Sequence, residues 1–216
     1  MTNNSFNTQI VIDEFDINSR LDNMSLNLQD IIQLSLDALL VRTECTNYNT
    51  KGAPGYLQWD AMVRRLRECF CFKHWEKYED NGVEGIFNKN KKIKLIPSSG
   101  NAGTGIKTLI PSNKNPKGFK TIELINNSTQ GNLFTGYNTQ IDDDNSKLYI
   151  LLYYSNNKEL RLEVSKPSYI NKSGIIEAWE ERIIIPPILL DGVSIKRNTS
   201  NNPSLYEEID IPVIRK

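Results

Sequence analysis

An α+β fold, with two N-terminal helices packed on a mainly antiparallel β-sheet, is what this sequence predicts. Apolar residues recur at helical spacing before about residue 80, and beyond it the period shortens toward two. Clusters of Gly, Pro and Asn then separate short apolar runs. Helices first and strands later point to α+β rather than to alternating α/β units. With 216 residues, 38% hydrophobic and 24% charged, the chain is long and apolar enough to bury a core without disulfide or metal staples.

Residues 1–25 are polar and acidic around a short apolar patch, Ile10-Val11-Ile12, which reads equally as an edge strand or as unordered chain. They are taken as a loosely ordered segment, and 26–216 as one α+β domain. From Asn27 the pattern is helical: Leu28, Ile31, Ile32, Leu36, Leu39 and Leu40 share a face, Asn27 caps, and Asp30 lies near the positive end of the dipole. The breaker cluster Lys51-Gly52-Ala53-Pro54-Gly55 connects to a second helix over 57–79. There Trp59, Met62, Leu66 and Phe70 face inward, and Arg64, Arg65 and Arg67 make the outer face basic. Strands are expected at 85–87, 93–97, 107–110, 121–125, 148–154, 160–164, 175–179, 183–185 and 206–214. Ser155-Asn156-Asn157-Lys158 supplies a hairpin turn between the fifth and sixth of them.

Charge is distributed in blocks although Lys and Arg together equal Asp and Glu at 26 each. Residues 1–60 carry 3 cations against 8 anions, 61–120 carry 13 against 5, and 121–216 carry 10 against 13. The basic block directs attention to an anionic partner, with Arg64, Arg65, Arg67, Lys89, Lys91, Lys92, Lys94, Lys117 and Lys120 as its contacts. It also holds a Gly-rich loop, in which Ser99, Gly100, Gly103, Thr104 and Gly105 have the composition of a phosphate cradle. No Gly-Lys-Ser/Thr follows, so the loop is neither a Walker motif nor a dinucleotide fingerprint. These features suggest a nucleic-acid-associated accessory protein that uses phosphate contacts on DNA or RNA. The abundance of Asn, Ile and Lys suggests a bacterial, phage or mobile-element origin. Alternatively, the acidic blocks neutralise the basic one within the fold or across a homodimer, and no nucleic acid is needed.

Two local resemblances widen the choice. Gln130-Gly131-Asn132-Leu133-Phe134 resembles the short peptides by which bacterial DNA-processing proteins bind the replicative sliding clamp. That implies a protein partner held by Gln130, Leu133 and Phe134. Asp144 before one strand, with Glu163 and Lys166 ending the next, resembles the strand-pair layout of the PD-(D/E)XK nucleases. That implies a Mg²⁺-dependent catalytic centre, the only cofactor the sequence suggests. In that family the acidic residue and the lysine are two apart, whereas Glu163 and Lys166 are three apart and face oppositely unless a bulge intervenes. The plain alternative is a half-buried strand whose polar face carries Glu159, Arg161 and Glu163. Trp179, in an apolar and charged stretch, is either a core residue or the hot spot of a non-enzymatic interaction or inhibitor protein.

Cys45, Cys69 and Cys71 are odd in number and lack a disulfide framework, which suits a reducing cytoplasm. With His74 they make the only conceivable zinc set, but Cys69 and Cys71 are about 200° apart around a helix, so no metal site is expected. The N-terminus does not read as an export signal, and no run of roughly 18 apolar residues suggests a membrane span.

Overall fold

The computed structural model describes residues 8–129 and 146–190. Among them, strands β1 (Gln9–Val11), β2 (Glu76–Asp80), β3 (Val83–Asn88), β4 (Ile93–Ser99), β5 (Lys147–Ser155), β6 (Glu159–Ile170) and β7 (Ile176–Leu189) form one sheet in the order β1-β7-β6-β5-β4-β3-β2. The pairs β1/β7 and β4/β5 are parallel and the other four are antiparallel. Helices α1 (Glu14–Asn23), α2 (Leu28–Thr43) and α3 (Ala53–Phe70) cover one face, and α4 (Phe119–Thr129) lies against the other. The fold is α+β, as the sequence predicts. No helix of the described residues is long and apolar enough to cross a membrane.

Two apolar clusters back the two faces. Ile86, Leu95, Tyr149, Leu151, Leu162 and Ile183 pack against the N-terminal helices. Ile96, Ile150, Leu152 and Trp179 face the other way, with Ile125 of α4. Period-two alternation in β4 and β5 produces this split, because both faces are covered and both sets of side chains must be apolar.

Several elements differ from expectation. Residues 8–24 are not loosely ordered. Gln9–Val11 adds a parallel strand to β7, and α1 sends Ile17 and Leu21 fully into the core, capped by Asp13, whose Oδ1 accepts the Phe15 N–H at 3.0 Å. Two inward residues one turn apart are too sparse a stripe to stand out in a polar sequence. The second expected helix stops at Phe70 rather than at residue 79. Glu76–Asp80 instead pairs with β3 across Asn81-Gly82, both at positive φ, as a tight hairpin demands. Residues 121–125, expected as a strand, lie in α4, because the parallel β4/β5 pair requires a crossover and this helix is in it. Residues 107–110 are loop, and of the strands expected at 175–179 and 183–185, residues 176–179 and 183–185 belong to the single strand β7. The expected strand at 206–214 falls outside the described residues.

The β6–β7 hairpin bends. Its register shifts at Lys166/Pro167, Pro167/Tyr169 and Tyr169/Ile170, where an extra residue on one strand increases the local twist. The bend brings the hairpin tip to the long connection between β4 and α4. Asn113 donates to the Gly174 carbonyl at 2.8 Å, accepts from the Ile176 N–H at 2.8 Å and bridges Gly100 at the end of β4. The 100–118 connection is thereby fastened across the second face of the sheet.

Candidate nucleic-acid interface

The arginines of α3 are largely engaged within the fold. Arg64 and Arg65 share Glu68 at 3.2 and 2.9 Å, and Arg65 also reaches Asp37 of α2 at 3.5 Å. Arg67 lies inward against the β2–β3 hairpin, pairing with Glu84 and donating to the carbonyls of Tyr78 at 2.8 Å and Gly85 at 3.2 Å. Arg67 therefore fastens helix to hairpin. The i,i+3 and i,i+4 pairs with Glu68 were visible in the sequence, whereas the Glu84 contact exists only because the second helix ends early.

Lys120 and Lys117 are also placed by internal contacts. Lys120 pairs with Asp80 at 3.0 Å and with Glu123 at 3.3 Å; the Asp80 hydrogen bond holds its pKa above the ordinary lysine value. Lys117 donates its backbone N–H to Gly174 O at 2.9 Å, and burial pushes its amine down to about 8. Folding thus disfavours the charged form of Lys117, the opposite of what a phosphate ligand requires. Lys94 is buried on β4 with its amine 4.7 Å from the centre of the Tyr78 ring and 5.6 Å from that of Phe87.

The Gly-rich loop does not present the open amides of a phosphate cradle. Gly100 N–H donates to Tyr153 O, Asn101 N–H to Ser112 O, Gly103 N–H to Asn101 Oδ1 and Thr104 N–H to Asn101 O. Ser99 contributes its carbonyl to the Lys114 N–H. Gly105 gives its N–H to Glu163 Oε2 at 3.2 Å, so an internal carboxylate occupies the position a phosphate would take.

Glu163 is fully buried, and Arg182, also buried, donates to its Oε2 at 2.6 Å. Arg182 further donates to Leu109 O at 2.7 Å and Ile106 O at 3.2 Å, which clasps the loop onto the sheet. Burial pushes the Glu163 carboxyl up, against the opposing pull of Arg182 and the Gly105 amide. Lys166 instead pairs with Glu180 at 2.5 Å, so Glu163 and Lys166 do not meet. Trp179 is interior, its indole N–H donating to Pro111 O at 2.8 Å, and it is unavailable as an exposed partner contact. Asp144, Gln130, Leu133 and Phe134 lie outside the described residues.

On the face covered by the N-terminal helices, sequence reasoning missed a second ionic group. Arg20 donates to both carboxylate oxygens of Glu181, at 2.5 and 2.9 Å, and Tyr149 O–H donates to Glu181 Oε2 at 2.7 Å. Burial raises the Glu181 carboxyl, but Arg20 and Tyr149 together outweigh it and hold the group below its ordinary pKa. Cys45, Cys69 and Cys71 are free thiols, and among the described residues no three His, Cys, Asp or Glu side chains are grouped to hold a metal.

One end of the sheet is different. β2 begins, β3 ends, and β4 and β5 begin there, which places Lys89, Lys91 and Lys92 of the β3–β4 turn beside Lys147. All four are exposed, and Lys147 N–H donates to Lys92 O at 2.8 Å. Lys92 adopts φ 51°, and the Lys91 N–H is held by Asn88 Oδ1 at 3.1 Å, so the turn is fixed by its own hydrogen bonds. Glu76 pairs with Lys89 at 2.7 Å; Lys91, Lys92 and Lys147 make no ion pair among the described residues. Of this group, sequence reasoning named all but Lys147, which lies 55 positions beyond Lys92 and arrives only through the parallel crossover. No protein family, curated protein or solved structure matches this chain.

Proposed function

We propose that this chain binds nucleic acid through phosphate contacts made by the lysine-bearing end of its sheet. The observation that carries the reading is the convergence of Lys89, Lys91, Lys92 and Lys147 from two distant segments onto one exposed end. Only Glu76 offsets them there among the ion pairs described. Lysine ammonium groups on a turn attract phosphates as point charges, without the planar fork that reads base edges, so binding is weakly sequence-selective and salt-dependent. The arginines and Lys120, being paired internally, contribute little.

Fluorescence anisotropy of a labelled oligonucleotide tests this. The double substitution Lys91→Glu with Lys92→Glu weakens binding about tenfold or more at low salt. Arg64→Gln leaves the affinity within about twofold, as for an exposed pair of small net worth. Undiminished binding by the lysine variant would remove the proposal.

A further inference from the structure

The lysine end also carries an aromatic ring that the fold does not use. α3 ends at Phe70, the Cys71 N–H closes it onto Arg67 O at 3.0 Å, and the Lys73 N–H donates to Phe70 O at 3.2 Å. Trp75 is buried, and its indole N–H donates to Ser25 O at 3.0 Å. Glu76 then opens β2 beside Phe87 and pairs with Lys89. The turn from 71 to 74 is thus anchored on both sides, yet Phe72 at its centre is 90% exposed, next to an exposed Lys73 in the connection that enters β2 at the lysine end of the sheet. Core packing does not hold Phe72 in this position, and the strand it leads into starts at the end of the sheet that carries Lys89, Lys91, Lys92 and Lys147.

From this juxtaposition we infer that the lysine end is selective for single-stranded nucleic acid, with Phe72 stacking on an unpaired base while Lys89, Lys91, Lys92 and Lys147 contact the backbone. The inference rests on the phosphate-binding reading above and adds the substrate class. A duplex hides its base faces inside the stack and offers a ring on a convex turn only phosphates and groove edges. A single strand exposes a π-face at every nucleotide, which any aromatic side chain can cover regardless of sequence. An exposed aromatic on the same end of a fold as a group of ammonium groups is the combination that nonspecific single-strand binding uses.

The test compares one labelled oligonucleotide, alone and annealed to its complement, against the full chain and its Phe72→Ala, Phe72→Trp and Lys91→Glu/Lys92→Glu variants. The unsubstituted chain prefers the single strand, and Phe72→Ala loses about tenfold on the single strand with little change on the duplex. Phe72→Trp retains the preference and adds an indole emission that the single strand quenches. Equal affinity of Phe72→Ala and the unsubstituted chain for the single strand overturns the inference, as does an equal loss on both forms. If the lysine variant weakens both forms while Phe72→Ala changes neither, phosphate binding stands and strand selectivity falls. Absence of binding to either form at low salt overturns both.

Discussion

Replacing Arg182 with alanine destabilises the fold by about 3–5 kcal/mol, because it leaves a buried carboxylate without its counter-ion. Arg182 and Glu163 are both interior, so neither can turn to water when the other is removed. The same substitution removes the Arg182 donors from the Leu109 and Ile106 carbonyls and unclasps the 100–118 connection from the sheet. Denaturant titration reads the loss as a lower midpoint with an unchanged slope. The pH dependence has a definite sign. Glu163 already sits above the ordinary carboxyl pKa through burial, and losing Arg182 raises it further. A group with a raised folded pKa binds more protons folded than unfolded, so acid restores stability as pH falls through that folded value toward the unfolded one. Arg182→Ala therefore recovers part of its deficit on going from neutral pH to about pH 5, where an unfolded Glu is still mostly ionised. Pairing Glu163→Gln with Arg182→Met costs less than Arg182→Ala alone, since no unpaired charge remains. A loss below about 1 kcal/mol for Arg182→Ala contradicts this account of a buried ion pair.

Gly174→Ala destabilises by about 3 kcal/mol, through left-handed backbone strain of about 1–2 kcal/mol together with overpacking of similar size. Gly174 has φ 77°, and a Cβ there would lie 2.6 Å from Lys117 N and closer still to the Lys117 carbonyl oxygen. Backbone cannot swing aside as a side chain can, so the hairpin tip must move and weaken the Asn113 bonds to Gly174 O and Ile176 N–H. Gly82 isolates the conformational part, having φ 79° and nothing within 4 Å of an added Cβ. Gly82→Ala costs only about 1 kcal/mol, and the excess at Gly174 in denaturant titrations measures the docking of the tip. Equal losses at the two glycines contradict that docking.

Local pattern fixed those parts of the fold whose determinants are local. Asn27 caps α2 as its sequence indicates, with Oδ1 accepting the Asp30 N–H at 3.0 Å, and Met62, Leu66 and Phe70 line the buried side of α3. The turn at 155–158 joins β5 to β6 because Asn156 Oδ1 accepts the N–H groups of Lys158 and Glu159. Long-range pairing decided the rest. Thr121, Ile122 and Ile125 are β-branched and read as strand, but the crossover they lie in makes them helix. Glu76-Lys77-Tyr78-Glu79 continues a helical charge pattern, yet the hairpin at Asn81-Gly82 captures it as an edge strand, whose charges discourage pairing with a further sheet. The basic block was legible as a charge excess, but which cations fold leaves exposed was not. Arg67 and Lys120 meet acids brought by β3 and the β2–β3 hairpin, while Lys147 joins Lys91 and Lys92 only when β5 aligns beside β4.

The most direct test of the lysine-end interface is the salt dependence of single-strand binding for the unsubstituted chain and for Lys91→Glu/Lys92→Glu. Four phosphate contacts give a plot of log Kobs against log salt a slope of about −3, and losing two of them reduces its magnitude by about 1.4. Identical slopes for the two proteins, or no binding at the lowest salt, would show that the charges at this end of the sheet do not engage phosphate.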